Sequence, residues 1–148
     1  MDEISANLKY MASNNQRQVA LNYKISETGI LVSDKGRINI LLNNLISNAI
    51  RYQNPEVLNP IVDVEINMSD TSTGIIVKDN GIGIDKENQI KIFDMFFRVA
   101  ENSVGSGLGL YLVKEIVDKL EGKINLDSEI GVGTKFSVVI PNSYKQLN

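Results

Sequence analysis

The chain has neither cysteine nor histidine in its 148 residues. The lack of cysteine excludes disulfides, thiolate metal sites and a thiol nucleophile, and agrees with a reducing compartment. The lack of histidine removes both the commonest general acid or base and the commonest transition-metal ligand. No apolar run approaches the ~20 residues of a membrane span, and the acidic start Met1-Asp2-Glu3 lacks the basic region of a signal peptide. A formal charge of -3 and a pI near 5.0 provide no broad basic field, so nucleic acid is not expected as a partner. The expectation is a soluble, cytoplasmic domain without direct membrane contact. Its length is that of a single domain spanning 1-148, in which about 68–70% of the unfolded surface can be buried.

The elements follow from periodicity and punctuation. Ile4, Leu8, Met11 and Ala12 recur at helical spacing and predict a short amphipathic helix from Asp2 to about Asn14. Val19 to Ile25 and Gly29-Ile30-Leu31-Val32 read as the first strands. Asp34 is placed to cap a helix whose apolar stripe is Ile38, Leu41, Leu42, Leu45, Ile46 and Ala49. Asn54-Pro55 to Asn59-Pro60 is a loop, and Ile61 to Ile66 then alternates with period two before returning through Ile75-Ile76-Val77 as a hairpin. A short helical segment from Lys86 to about Ile90 precedes the phenylalanine cluster Phe93, Phe96 and Phe97. Leu112, Val113, Ile116, Val117 and Leu120 form the buried stripe of a last helix, which Gly122 ends. Lys123 to Leu126 and Lys135 to Ile140 are the final strands, followed by a polar tail from Asn142 that is expected to fray.

Three stretches carry possible chemistry. Asp79-Asn80-Gly81-Ile82-Gly83-Ile84 puts a carboxylate at a strand end before a glycine turn, which fits either a ligand floor or a simple hairpin turn. Asn44, Asn48 and Tyr52 fall at successive i,i+4 steps with Arg51 beside them, and line one helix edge that is either a solvated face or a polar site wall. Gly105-Ser106-Gly107-Leu108-Gly109-Leu110 opens a helix, where backbone N–H groups and the macrodipole favour an anion such as phosphate. Leu110 stands where a dinucleotide fingerprint needs glycine, and no Gly-Lys-Ser/Thr follows, so both that fingerprint and the P-loop are excluded. The three phenylalanines serve either the core or the anchoring of a moving segment.

The order of these stretches, with Gly131-Val132-Gly133-Thr134 after them, resembles the ATP-binding catalytic domain of sensor histidine kinases, within the superfamily of gyrase, Hsp90 and MutL. The resemblance covers nearly the whole chain. It matches Asn44 to Tyr52 to the asparagine box, Asp79 to Gly83 to the first glycine box and Phe93 to Arg98 to the phenylalanine box. Gly105 to Leu110 and Gly131 to Thr134 match the second and third glycine boxes. It implies an α+β fold: a two-layer α/β sandwich, with a mixed sheet of about five strands and three main helices on one face, the Bergerat ATP-binding fold. The implied cofactors are ATP and Mg²⁺. Asn48 would give its side-chain oxygen to the metal, Asp79 would accept the adenine N6 amino proton, Tyr52 would pack near the base, and Arg51 and Arg98 would reach phosphates. Gly81, Gly83, Ile84, Phe96 and Thr134 would complete the nucleotide site. Gly105, Ser106, Gly107, Leu108, Gly109 and Leu110 would cradle the phosphates beneath a lid from Phe96 to Gly107.

Two departures shape the expected activity. Hydrolysing relatives carry a glutamate four residues before the magnesium asparagine, and here that place holds Asn44, which cannot take a proton. Asn44 and Arg98 are therefore the candidate catalytic positions, with poor water attack expected. The chain also has no histidine to phosphorylate, so it reads as the catalytic part of a longer kinase. Its expected partners are a histidine-bearing dimerisation domain and, downstream, a response regulator. The lid is short, seven steps from Arg98 to Gly105. Rival readings are an anti-sigma-type serine kinase, disfavoured by the phenylalanine box and Asn44, and a non-catalytic ATP-sensing module.

Overall fold

The computed structural model describes residues 2–14, 18–98 and 107–143. Helix α1 spans Asp2–Asn14, strand β1 Ala20–Glu27, helix α2 Lys35–Arg51, strand β2 Ile61–Met68 and strand β3 Ser72–Asp79. The short helix α3 (Lys86–Gln89), helix α4 (Gly109–Lys119) and strands β4 (Lys123–Glu129) and β5 (Gly133–Pro141) follow.

The strands form one five-stranded mixed sheet in the order β1-β2-β3-β5-β4. The β1–β2 pair is parallel and the other pairs are antiparallel. A parallel pair needs a long crossover, and α2 supplies it. Asp34 starts α2 by accepting the Arg37 N–H at 3.0 Å. From there Ile38, Leu41, Leu42, Leu45, Ile46 and Ala49 are all buried along one stripe. Each such aliphatic side chain contributes about 1.5–3 kcal/mol through its removal from water, so the stripe outweighs the mediocre helix propensity of the asparagines between.

The sheet has one dry face and one wet face. On β2, buried Val62, Val64, Ile66 and Met68 alternate with exposed Asp63, Glu65 and Asn67. Ile75 and Val77 of β3 and Phe136, Val138 and Ile140 of β5 extend the dry face, on which α1, α2 and α4 pack. The wet face is stitched by cross-strand neighbours of opposite charge, Lys24 beside Glu65, Asp63 beside Lys78 and Lys135 beside Asp127. Two fully buried residues, Ile4 and Leu8, hold α1 down. Asn7 adds a polar tie, its Nδ2 donating to Asn43 Oδ1 at 2.9 Å and Asn39 Oδ1 at 3.3 Å.

Two sequence expectations are corrected. Gly29 to Val32 is not a strand: it crosses the end of the β2–β3 hairpin, where Gly29 lies so close to Asp70 that an added Cβ would sit 2.3 Å from the Asp70 nitrogen. Asn142 ties the segment to the hairpin, its Nδ2 donating to Ile30 O at 2.9 Å and to Ser69 O at 3.0 Å, and its Oδ1 accepting from Val32 N–H at 3.4 Å. The start of the expected frayed tail is thus pinned, with Asn142 N–H donating to Thr71 O and Ser143 N–H to Val32 O. Residues 144–148 lie outside the described residues.

Candidate functional site

Asp79 ends β3, in register with Val62 of β2 and Thr134 of β5. The hairpin reading of Asn80-Gly81 does not hold, because β3 pairs next with β5. Asn80 instead clamps the start of β2, accepting the Ile61 N–H at 2.9 Å and donating to Asn59 O at 2.9 Å. Asp79 Oδ1 accepts the N–H of Gly81 at 2.8 Å and of Thr134 at 3.3 Å. Its Oδ2 has no hydrogen-bond partner among the described residues. Burial raises the pKa of this carboxyl, and the two backbone donors oppose that rise. One oxygen is therefore fixed by the fold, and the other is presented as an acceptor.

The segments around Asp79 touch too closely for side chains. Gly133, at φ 140°, lies where a Cβ would be 2.0 Å from Asp79 O, and Gly83, at φ 75°, where one would be 2.1 Å from Glu129 O. The two glycines let the β4–β5 turn close against both ends of the 79–83 loop. The closure is completed by Gly131 N–H donating to Ile82 O at 2.9 Å, and by Ile82 N–H donating to Tyr52 O at 3.0 Å.

That last bond ties the loop to the C-terminal end of α2. One turn apart along α2 stand Tyr52, Asn48 and Asn44, each partly exposed. Asn44 Nδ2 donates to Ile40 O at 2.8 Å, and its Oδ1 is 2.9 Å from where a Cβ on Gly109 would lie. Gly109 is the first residue of α4, whose N-terminus has no side-chain cap among the described residues. At 1.5 Å per residue, the edge from Asn44 to Tyr52 runs about 12 Å. It begins at the uncapped N-terminus of α4 and ends at the Asp79 loop. Midway, the Asn48 side-chain amide has no hydrogen-bond partner among the described residues.

The phenylalanines divide between core and surface. Phe93 meets Phe136 edge-on at 6.2 Å between centroids, and both Phe93 and Phe97 pack against the core. Phe96 is 64% exposed, with φ 63°. Its N–H donates to Gly107 O at 3.1 Å, so the two ends of the intervening segment meet. Arg98 is exposed at the last position described before that segment, and Arg51 is partly exposed on the last turn of α2. Of the expected phosphate cradle, Gly107, Leu108, Gly109 and Leu110 are at the start of α4, whereas Gly105 and Ser106, like the rest of residues 99–106 within the expected lid from Phe96 to Gly107, lie outside the described residues.

Sequence reasoning missed two residues that organise this end of the sheet. Ser128 Oγ accepts the Ile84 N–H at 2.8 Å and lies 2.8 Å from Thr134 Oγ1 and 3.0 Å from Gly133 O. Gln89 Nε2 donates to Ile84 O at 2.7 Å and to Ser128 O at 3.1 Å. A signal for Ser128 was present: it follows Ile124 and Leu126 on the inward face of β4, where a polar residue needs a partner. Nothing in the local pattern marked Gln89.

Comparison with known proteins identifies the family. Residues 9–144 match the histidine kinase-, DNA gyrase B-, and HSP90-like ATPase family. Sensor protein RprX of Bacteroides fragilis (strain YCH46) is 38% identical over 116 residues, which is 76% of this chain and 22% of RprX. Sensor protein CiaH of Streptococcus pneumoniae serotype 4 is 36% identical over 138 residues, 90% of this chain and 30% of CiaH. The chain thus spans less than a third of the length of these relatives. The solved catalytic domain of histidine kinase ThkA shares the fold, with a TM-score of 0.75 at 24% identity over 95% of this chain and 90% of that one. The chain belongs to the histidine kinase-, DNA gyrase B-, and HSP90-like ATPase family, as an ATP-binding domain of the sensor histidine kinase type.

Proposed function

We propose that this domain binds Mg-ATP along the Asn44–Asn48–Tyr52 edge and presents the γ-phosphoryl to a histidine on a separate dimerisation domain. One observation carries the reading: the same helix edge touches an uncapped helix N-terminus at one end and a half-buried carboxylate loop at the other. The first favours phosphate, because the leading N–H groups of a helix and its macrodipole attract an anion. The second favours adenine, because Asp79 Oδ2 would accept the N6 amino proton. Guanine presents a carbonyl at that place, and a carboxylate repels it.

Along the edge, Tyr52 would flank the base, and Gly81, Gly83, Ile84 and Thr134 would shape its pocket. Gly107 to Leu110, together with Gly105 and Ser106, would hold the phosphates, with Arg51 and Arg98 adding charge-assisted hydrogen bonds. Phe96, held at Gly107, would sit at the base of the covering segment. Asn48 fits a magnesium ligand: its amide oxygen is a hard donor, and the amide has no hydrogen-bond partner among the described residues. When bound, the ion would neutralise phosphate charge, and Asn48 would hold it. Asn44, its nitrogen held by Ile40 O, would orient rather than deprotonate, so transfer to histidine is favoured over hydrolysis. Catalysis of this kind is chiefly placement and charge stabilisation.

The test is to incubate the domain with γ-labelled ATP, magnesium and a histidine-bearing dimerisation domain from the same protein. Label on the partner's histidine is the expected result, and passage of that label to a response regulator would place the domain in a two-component relay. Label on a serine, or none on the partner while ATP is bound, would overturn the proposal.

A further inference from the structure

We infer that Ser128, a residue outside the nucleotide-contacting set, is the positioning residue that aims Asp79 at the base; the inference rests on the adenine reading above. The geometry uses the whole bonding capacity of one hydroxyl. A serine hydroxyl donates once and accepts twice. Ser128 Oγ accepts the Ile84 N–H at 2.8 Å. If its own proton goes to Gly133 O at 3.0 Å, the Thr134 hydroxyl, 2.8 Å away, donates into the remaining lone pair. Every partner is then satisfied.

These partners lie on the two segments that hold Asp79. Thr134 gives its backbone N–H to Asp79 Oδ1, and Gly81, three residues before Ile84, gives the other. The Ser128 hydroxyl therefore locks together the two pieces of backbone whose N–H groups fix which way the carboxylate faces. Gln89 reinforces the lock by bridging Ile84 O and Ser128 O. Thr134 is 7% exposed, so a hydroxyl freed from Ser128 would find little water and would pull its own segment out of place. Displacement of Asp79 by a fraction of an ångström weakens one bond to the base and leaves the phosphate end, about 12 Å along α2, untouched.

The readout is nucleotide selectivity. Calorimetric Kd values are compared for ATP and for purine riboside triphosphate, which lacks only the N6 amino group, on wild type, Ser128→Ala, Ser128→Cys and Ser128→Thr. Wild type is expected to prefer ATP by about tenfold or more, the worth of one charge-assisted hydrogen bond. Ser128→Ala and Ser128→Cys should lose most of that preference while binding the analogue within about twofold of wild type, and Ser128→Thr, which keeps the hydroxyl, should retain it. The cysteine variant fills the serine site, and serves if the alanine variant does not fold. Equal weakening of both nucleotides, or an unchanged ratio, would make Ser128 a general support and overturn the inference. A wild-type domain that binds both nucleotides equally would instead overturn the assignment of Asp79 to adenine, and this inference with it.

Discussion

Asp79→Asn separates what the carboxylate does for the ligand from what it does to the fold. The asparagine is nearly isosteric, and its Oδ1 can go on accepting from Gly81 N–H and Thr134 N–H. Its amide nitrogen then takes the place of Oδ2, so a donor faces the N6 donor of adenine. The loss is that of a charge-assisted hydrogen bond, ~1.5–3 kcal/mol, or about 10- to 150-fold in Kd. The unliganded fold responds in the opposite sense. Burial raises the Asp79 pKa above its ordinary value of 3.8, so the folded state holds the proton more tightly than the unfolded one. Such a group favours the fold most when protonated, and that stability is lost as pH rises from near 3.8 through the raised pKa. At pH 7 the charged carboxylate therefore costs stability, and Asp79→Asn should melt no lower than wild type. The difference between the two should shrink as pH falls through the same window, where Asp79 becomes neutral like asparagine. Calorimetry for ATP and thermal melts from pH 4 to 7 test both halves. ATP affinity within twofold of wild type would refute the adenine assignment, and a variant clearly less stable than wild type at pH 7 would refute the electrostatic one.

Two other outcomes follow from separate features. The purified domain should bind Mg-ATP yet release phosphate slowly and not label itself, because Asn44 cannot act as a base and the chain has no histidine; robust turnover in a phosphate-release assay would contradict this. Asp34→Ala should lower stability by about 1 kcal/mol through loss of the α2 cap, measured by denaturant titration. The backbone hydrogen bond from Arg37 lowers the Asp34 pKa, so this cap's contribution should be present above pH 3.8 and fade as pH falls through the lowered pKa.

What could be read ahead of the structure depended on how local its cause was. The α2 stripe, its Asp34 cap and the alternation of β2 are set by neighbours within a few residues, and their boundaries emerged nearly as expected. Gly29 to Val32 misled because four residues rich in strand formers say nothing about whether a sheet edge is free to receive them. Their polar groups went to Asn142, more than a hundred residues away, which for the same reason could not be read as anything but tail. The site divides along the same line. Asp79, Asn44 and Asn48 stand out because each breaks a local pattern: a carboxylate closing an apolar strand, and amides crowded into a helix. Gln89 breaks none, and its importance arises from two carbonyls brought to it by the closure of the β4–β5 turn on the Asp79 loop.

That closure explains why glycine is needed on both sides of it. Gly83 sits against Glu129 and Gly133 against Asp79, so the carboxylate loop and the turn share one volume, and neither can shift without the other. A base-reading group on a free loop would lose affinity to conformational entropy at each binding event. Here the ordering is met at folding: the hydroxyl of Ser128, the amide of Gln89 and the backbone of Tyr52 hold the loop before any nucleotide arrives. The proposed site is thus set at its base end by the sheet and α2, while at its phosphate end the Phe96 N–H is bonded to Gly107 O, two residues before the start of α4. Changes in β4 and β5 can then alter selectivity for the base without disturbing the phosphate end, about 12 Å away along α2.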